Sequence, residues 1–133
     1  MVKTIIESDR VMALAYADAP YTPQQMITPS AIITAQQKYL QPVVGEAMIE
    51  ALMEDKYIEL YEDYVAPALA LYVRFIVDGL GAPTAKSMLQ RAREMMRRLS
   101  DHLEAHAGEY VEYETSRNIL KRCSLDGGFI QIH

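Results

Sequence analysis

Apolar residues recur at helical spacing along most of the chain, and the breaks in that recurrence mark off its elements. Residues 3–6, Lys-Thr-Ile-Ile, are short and β-branched and predict a terminal strand. Ser8 and Asp9 can cap a short helix that reaches about Tyr16. Pro20 and Pro23 then leave no room for a continuous helix, so residues 19–23 form a turn. Thr22-Pro23 and Thr28-Pro29 each place a capping residue before a proline suited to the first helical position. The second opens the better helix, with Ile32, Ile33, Gln36, Tyr39 and Leu40 on one face.

The apolar pattern is strongest where Pro42 and Gly45 interrupt it. Pro42 lacks the N–H that would bond the carbonyl of Lys38, and it disfavours the α conformation at Gln41. Gly45 gives freedom in φ for redirecting the chain. Apolar character continues through Val43, Val44, Met48 and Leu52, which predicts a buried elbow between two helices at Pro42 and Gly45. From about Lys56, the residues Ile58, Tyr61, Val65, Leu69, Tyr72 and Ile76 fit one helix face, and Pro67 should kink or split that helix near Val65. Residues 78–83, Asp-Gly-Leu-Gly-Ala-Pro, stop it, and Thr84 is the next expected cap. The helix over 84–107 carries a core stripe of Met88, Ala92, Met95, Leu99 and Leu103, with Lys86, Arg93 and Arg97 almost opposite. Gly108 ends it, a further helix is expected over 109–122, and 129–133 (Phe-Ile-Gln-Ile-His) reads as a closing strand. No internal repeat or low-complexity segment is evident.

The fold class is therefore mostly α: a single-domain bundle of about four to five helices with short extended or β-strand termini. Residues 1–26 form an N-terminal arm and short helix, 27–122 the helical core, and 123–133 a C-terminal extended segment.

Composition narrows the function classes. Half of the 133 residues are hydrophobic, which excludes a disordered chain. No run approaches the ~20 apolar residues of a membrane span. The acidic turn after Ile5-Ile6 does not fit a secretory leader. Cys123 is the sole cysteine, so no intrachain disulfide forms and a reducing compartment is the simplest setting. The net charge of −5 argues against generic nucleic-acid binding. Residues 1–80 hold five Lys/Arg against eleven Asp/Glu, a net of −6, whereas residues 81–133 hold eight against seven, a net of +1. Such a division suits head-to-tail contact between copies, with Glu54, Glu59, Glu62 and Asp63 on one side and Arg93 and Arg97 on the other.

No arrangement of residues points to catalysis, to a metal or to a cofactor. His102 and His106 have the spacing of two zinc ligands on a helix, but the order His-Leu-Glu-Ala-His is not that of a metalloprotease, and His106 falls near the core stripe. Packed or hydrogen-bonded histidines are the better reading. Tyr57, Tyr61, Tyr64 and Tyr72 lie among Glu54, Asp55, Glu59, Glu62 and Asp63, so they suit a core edge or a subunit interface rather than a nucleic-acid platform. Arg91, Arg93, Arg97 and Arg98 do not form one reading edge, because Arg91 and Arg98 lie on another side and have Glu94 and Asp101 three residues on to neutralise them.

Residues 27–52 (ITPSAIITAQQKYLQPVVGEAMIEAL) resemble the opening helices of phage head–tail connector (adaptor) proteins, in particular small helical proteins of Bacteroides-type phages and prophages. The residues that carry the resemblance are Ile33, Ala35-Gln36, Tyr39-Leu40, Pro42, Gly45 and Leu52, and residues 64–70 (YVAPALA) are similar to that family's second long helix. The resemblance implies a non-enzymatic virion component, built in the bacterial cytoplasm, that needs no cofactor. It implies a ring, commonly of about twelve subunits, below the portal, with the portal and stopper or tail proteins as partners. DNA would pass through the channel without sequence-specific contact, and no membrane is involved. The rival expectation is a small helical cytoplasmic adaptor or regulator that binds a protein or a nucleic acid.

Overall fold

The computed structural model describes residues 4–19 and 21–121, and these form a mostly α-helical protein. Helix α1 spans Ser8–Ala15, and a 3-10 turn over Gln24–Met26 leads to α2, Pro29–Ala35. Thr28 caps α2 as expected: its Oγ1 accepts a hydrogen bond from the Ala31 amide at 3.1 Å, and Pro29 occupies the first turn. Helices α3 (Gln41–Val44), α4 (Glu46–Met53), α5 (Ile58–Leu60), α6 (Ala66–Asp78) and α7 (Ala85–Ala105) follow.

The elbow forms, but Gly45 alone makes it. Gln41 keeps helical angles (φ −57, ψ −40), and Pro42 lies inside a helical path that runs unbroken from Pro29 to Val44. The path survives because Gln36–Leu40 winds as a wide π turn, with the Gln41 amide bonding the Gln36 carbonyl. A wide turn moves the preceding carbonyls away from the proline ring, where an α turn would set them against it. Gly45 then breaks the helix at φ 89, ψ 157, in a region that only glycine adopts without strain.

The same device recurs 25 residues later. Tyr61–Val65 is a second π turn, the Ala66 amide bonds the Tyr61 carbonyl, and Pro67 follows near the start of α6. Tyr39-Leu40-Gln41-Pro42 and Tyr64-Val65-Ala66-Pro67 thus share both order and backbone. The helix that follows the second proline also ends on a glycine with positive φ, Gly79 at φ 86, ψ 160. Pro67 was expected to kink or split the helix near Val65; instead the helical path runs unbroken from Ile58 to Asp78, with Val65 and Ala66 in the α region.

An extra residue in a turn rotates everything upstream by about 100° relative to a straight helix. Ile58 was expected on the face of Leu69 and Tyr72, and it is instead 61% exposed, whereas Val65, Leu69 and Tyr72 are buried. Helix α6 is the centre of the molecule, with α1, α2 and α7 packed around it. Its sequence is apolar on nearly all sides, as burial on all sides requires, and Ala66, Ala68 and Ala70 let the neighbours approach. On α7 the buried stripe is Ala85, Met88, Ala92, Met96, Leu99 and Leu103; Met95 lies at its edge and Met96 takes the inner position. Ile6, Val11, Ala15 and Tyr16 belong to the same core, so the N-terminal segment packs as part of the bundle.

Three further expectations are corrected. Thr4–Ile6 has no strand geometry; the Ile5 amide donates instead to the buried Gln36 side chain at 2.9 Å, and Lys3 and the 129–133 strand lie outside the described residues. Thr84 makes no side-chain cap bond to α7. Residues 109–121 are not one helix: two 3-10 turns, Ala107–Glu109 and Thr115–Arg117, precede helical residues at 119–121, the last that are described. Asn118 explains the last correction. Fully buried, it donates to Ser100 Oγ at 2.8 Å and to the Tyr113 hydroxyl at 2.9 Å, while its Oδ1 accepts from the Leu120 amide at 2.9 Å. Asparagine side chains that bond the backbone nearby compete with helix, and here the competition fastens the chain to α7.

Candidate functional site

Four groups of polar and aromatic side chains stand on this scaffold, and two of them build its interior joints. At the first, Arg74 projects from α6 with its side chain only 7% exposed. Its Nη1 donates to the Ala15 carbonyl at 2.7 Å and to Asp18 Oδ1 at 2.6 Å, and its Nε donates to Asp78 Oδ2 at 3.1 Å. The guanidinium also lies 4.8 Å from the centre of the Tyr16 ring, and the Tyr16 hydroxyl donates to Asp78 at 3.3 Å. One side chain therefore closes the C-terminal end of α1 onto the last turns of α6. The bond from Arg74 holds the Asp18 carboxyl below its ordinary range, and burial together with Asp78 raises the Tyr16 hydroxyl well above its own. Sequence reasoning missed this joint, although a lone arginine inside AlaProAlaLeuAlaLeuTyrValArgPheIleValAsp, with aspartate four residues on, was a readable signal.

At the second joint, rings are stacked in series. Tyr64, from the second π turn, stacks on His102 with centroids 4.3 Å apart, and His102 lies 4.4 Å from His106. His102 Nε2 is 2.9 Å from the Tyr110 hydroxyl, and His106 Nδ1 donates to the His102 carbonyl at 3.0 Å. The inward histidine is His102, not His106, because α7 ends at Ala105 and His106 leaves the helical path. Burial lowers the pKa of His102, and the neighbouring His106 lowers it further. Among the described residues no three or more His, Cys, Asp or Glu side chains are grouped as metal ligands. The first π turn presents Tyr39 in the same manner, stacked on Tyr72 of α6 at 4.1 Å and 10°.

The two remaining groups lie on the surface. The acidic one surrounds the turn between α4 and α5. Glu54, Asp55, Glu59 and Asp63 are exposed and form no ion pair among the described residues. Glu62 differs, being paired within the chain to Arg10. Lys56, beside them, is occupied by Glu112, which also accepts from the Tyr57 hydroxyl at 2.6 Å. Arg10, Leu52, Ile58 and Tyr61 line a cleft of about 600 Å³ next to this turn.

The basic group faces a groove of about 210 Å³ between the first π turn, α6, α7 and the helical residues 119–121. Tyr39, Tyr72, Val43 and Met96 form its apolar lining, Lys38, Arg93 and Arg97 its cations, and Ile119 and Leu120 its rim. Lys38, Lys86, Arg91, Arg93, Arg97 and Arg98 have no ion-pair partner among the described residues. The expected pairings of Arg91 with Glu94 and of Arg98 with Asp101 do not form: Asp101 takes Lys121 at 2.8 Å, and Arg98 approaches the Met95 sulfur at 3.7 Å. Arg93 and Arg97 are brought together with Lys38, a neighbour that sequence spacing did not suggest. Pro42 and Gly45 act on the backbone beside this groove and present no chemistry of their own.

Among the described residues no helix is long and apolar enough to cross a membrane. No protein-family model matches the chain, and neither a curated protein nor a solved structure does.

Proposed function

We propose that this protein is a non-enzymatic structural subunit of a phage or prophage virion, a head–tail connector that assembles as a ring below the portal and lets DNA pass. The observation that carries the reading is the segment over 27–52, whose connector-like residues Ile33, Ala35, Gln36, Tyr39, Leu40, Pro42, Gly45 and Leu52 fall on one device: α2, the π turn, α3, the glycine break and α4. Gln36 and Leu40 are buried and Tyr39 stacks on α6, so these positions hold the device against the core. Two surface groups of opposite charge on one subunit support assembly by contacts that close through rotation. DNA in such a channel needs no tight phosphate grip, in keeping with the net charge of −5.

Electron microscopy of the protein, alone and mixed with a phage portal protein from the same genome, tests the proposal. Rings capping the portal are the expected result. Absence of such rings, together with viable phage after deletion of the gene, overturns it in favour of a cytoplasmic adaptor or regulator.

A further inference from the structure

We infer that the exposed ridge around Ile58 of one subunit seats in the Tyr39–Tyr72 groove of a second copy, with Glu54, Asp55 and Glu59 set against Lys38, Arg93 and Arg97. The inference deepens the connector reading and rests on it for its biological setting.

The groove is too small for an ordinary small-molecule site, whose volumes run about 300–1,000 Å³, against about 210 Å³ here. It is apolar inside and cationic at its margin, and its rim residues Ile119 and Leu120 are 39% and 42% exposed. A matching occupant is an apolar side chain flanked by carboxylates. The chain itself carries one. Ile58 is 61% exposed, and Glu54, Asp55 and Glu59 beside it are free of ion pairs among the described residues.

The ridge is also rigid. Asp55 adopts φ 59, and the turn is closed by the Asp55 amide on the Leu52 carbonyl and the Lys56 amide on the Ala51 carbonyl, each at 3.1 Å. Aspartate tolerates that conformation, so the projection of Ile58 is set before any contact forms. Glu62 is excluded from the contact, because Arg10 holds it within its own subunit.

Charge decides the geometry of association. Ridge against ridge opposes carboxylates, and groove against groove opposes guanidinium groups, so both symmetric pairings are disfavoured. Ridge into groove is head-to-tail, the class of contact that builds rings or filaments. One ridge in one small groove falls short of the ~1,000 Å² of a stable interface, so the contact is brief between free subunits and persists when a template aligns them.

Disulfide trapping reads such brief contacts. In a Cys123→Ser background, the single variants Ile58→Cys and Leu120→Cys are mixed and oxidised, with Ile58→Cys plus Tyr21→Cys as the control, Tyr21 being 85% exposed. The 58–120 crosslink should form about tenfold faster than the control. Adding Arg93→Glu and Arg97→Glu to the Leu120→Cys chain should return the rate to that of the control, as should molar salt, where screening acts over about 3 Å. A rate equal to the control, or a predominance of 58–58 crosslinks, overturns the inference. Rings on the portal without the 58–120 crosslink would sink this contact alone, whereas a crosslink without rings would sink the connector reading and leave the contact standing.

Discussion

Replacing Arg74 by methionine removes the joint between α1 and α6 while nearly conserving buried volume. Three losses follow. The Ala15 carbonyl loses a bond from a charged donor inside the core, worth about 1.5–3 kcal/mol. The contact over the Tyr16 ring contributes about 0.5–1 kcal/mol. Asp78, 24% exposed, keeps only the Tyr16 hydroxyl, while Asp18 stands in solvent and simply rehydrates. Methionine recovers part of the packing, so the net loss is about 2–4 kcal/mol, a large share of the roughly 5–15 kcal/mol of a typical domain. Urea unfolding followed by far-UV circular dichroism should show a lower midpoint with an unchanged slope. Arg74→Lys should lose most of the same stability, because an ammonium cannot present the planar fork that reaches three acceptors.

The same joint sets a response to acid. The pKa of Asp18 is lower in the folded state than its ordinary value of 3.8, so its contribution is present above that value and disappears as pH falls through the folded value. Wild type should therefore lose stability relative to Arg74→Met below about pH 4, the range of an ordinary aspartate. A loss under about 1 kcal/mol for Arg74→Met at neutral pH would refute the reasoning, since a buried carbonyl cannot be orphaned so cheaply.

Other outcomes follow from other parts of the fold. Gly45→Ala and Gly79→Ala should each lose about 1–3 kcal/mol in the same urea assay, although a Cβ at either position meets nothing within 4 Å; neutral variants would show that the backbone there is not constrained. Leu69→Ala and Leu99→Ala, both fully buried, should each lose about 2–5 kcal/mol, and a smaller loss would mean that the α6–α7 contact is loose. His102 has a folded-state pKa below the ordinary 6.5, so the neutral ring is favoured and its contribution is complete above that value. Stability should fall as pH drops through about 6.5 and below, and His102→Phe should remove that component; an unchanged pH profile in the variant would count against the stacked arrangement.

Periodicity made the helices around α6 readable, because apolar spacing survives any detail of tertiary contact. It could not reveal the π turns. Their signature is one residue too many in a turn, and in sequence that is indistinguishable from a stripe that has drifted. Ile58 was misplaced for this reason: its spacing from Val65 fits a straight helix, and the helix is not straight-wound there. The prolines were read as breakers, whereas in both places the chain absorbs the proline by widening the turn before it. Residues 109–121 failed differently, since helical propensity there is outweighed by one buried asparagine whose partners, Ser100 and Tyr113, cannot be paired from sequence. Among the candidate surface residues, the exposed acidic and basic groups were legible, but the pairing of Glu62 with Arg10 and the grouping of Lys38 with Arg93 and Arg97 at one groove depend on contacts between distant segments.

The two π turns also tie the interior to the candidate surface. Each ends in a buried apolar residue, Leu40 or Val65, and each sends a tyrosine just before it onto a ring of a helix farther along the chain, Tyr72 of α6 or His102 of α7. A tyrosine held by a stack has little freedom left to lose, so a surface built on it can engage a partner with little ordering cost. Tyr39 is such a residue, and it lines the groove. A straight helix over the same residues would rotate the tyrosine away from its stacking partner by about 100°. The proline that appeared to interrupt the helix is thus the reason the turn is wide, and the wide turn is what carries Tyr39 into the groove.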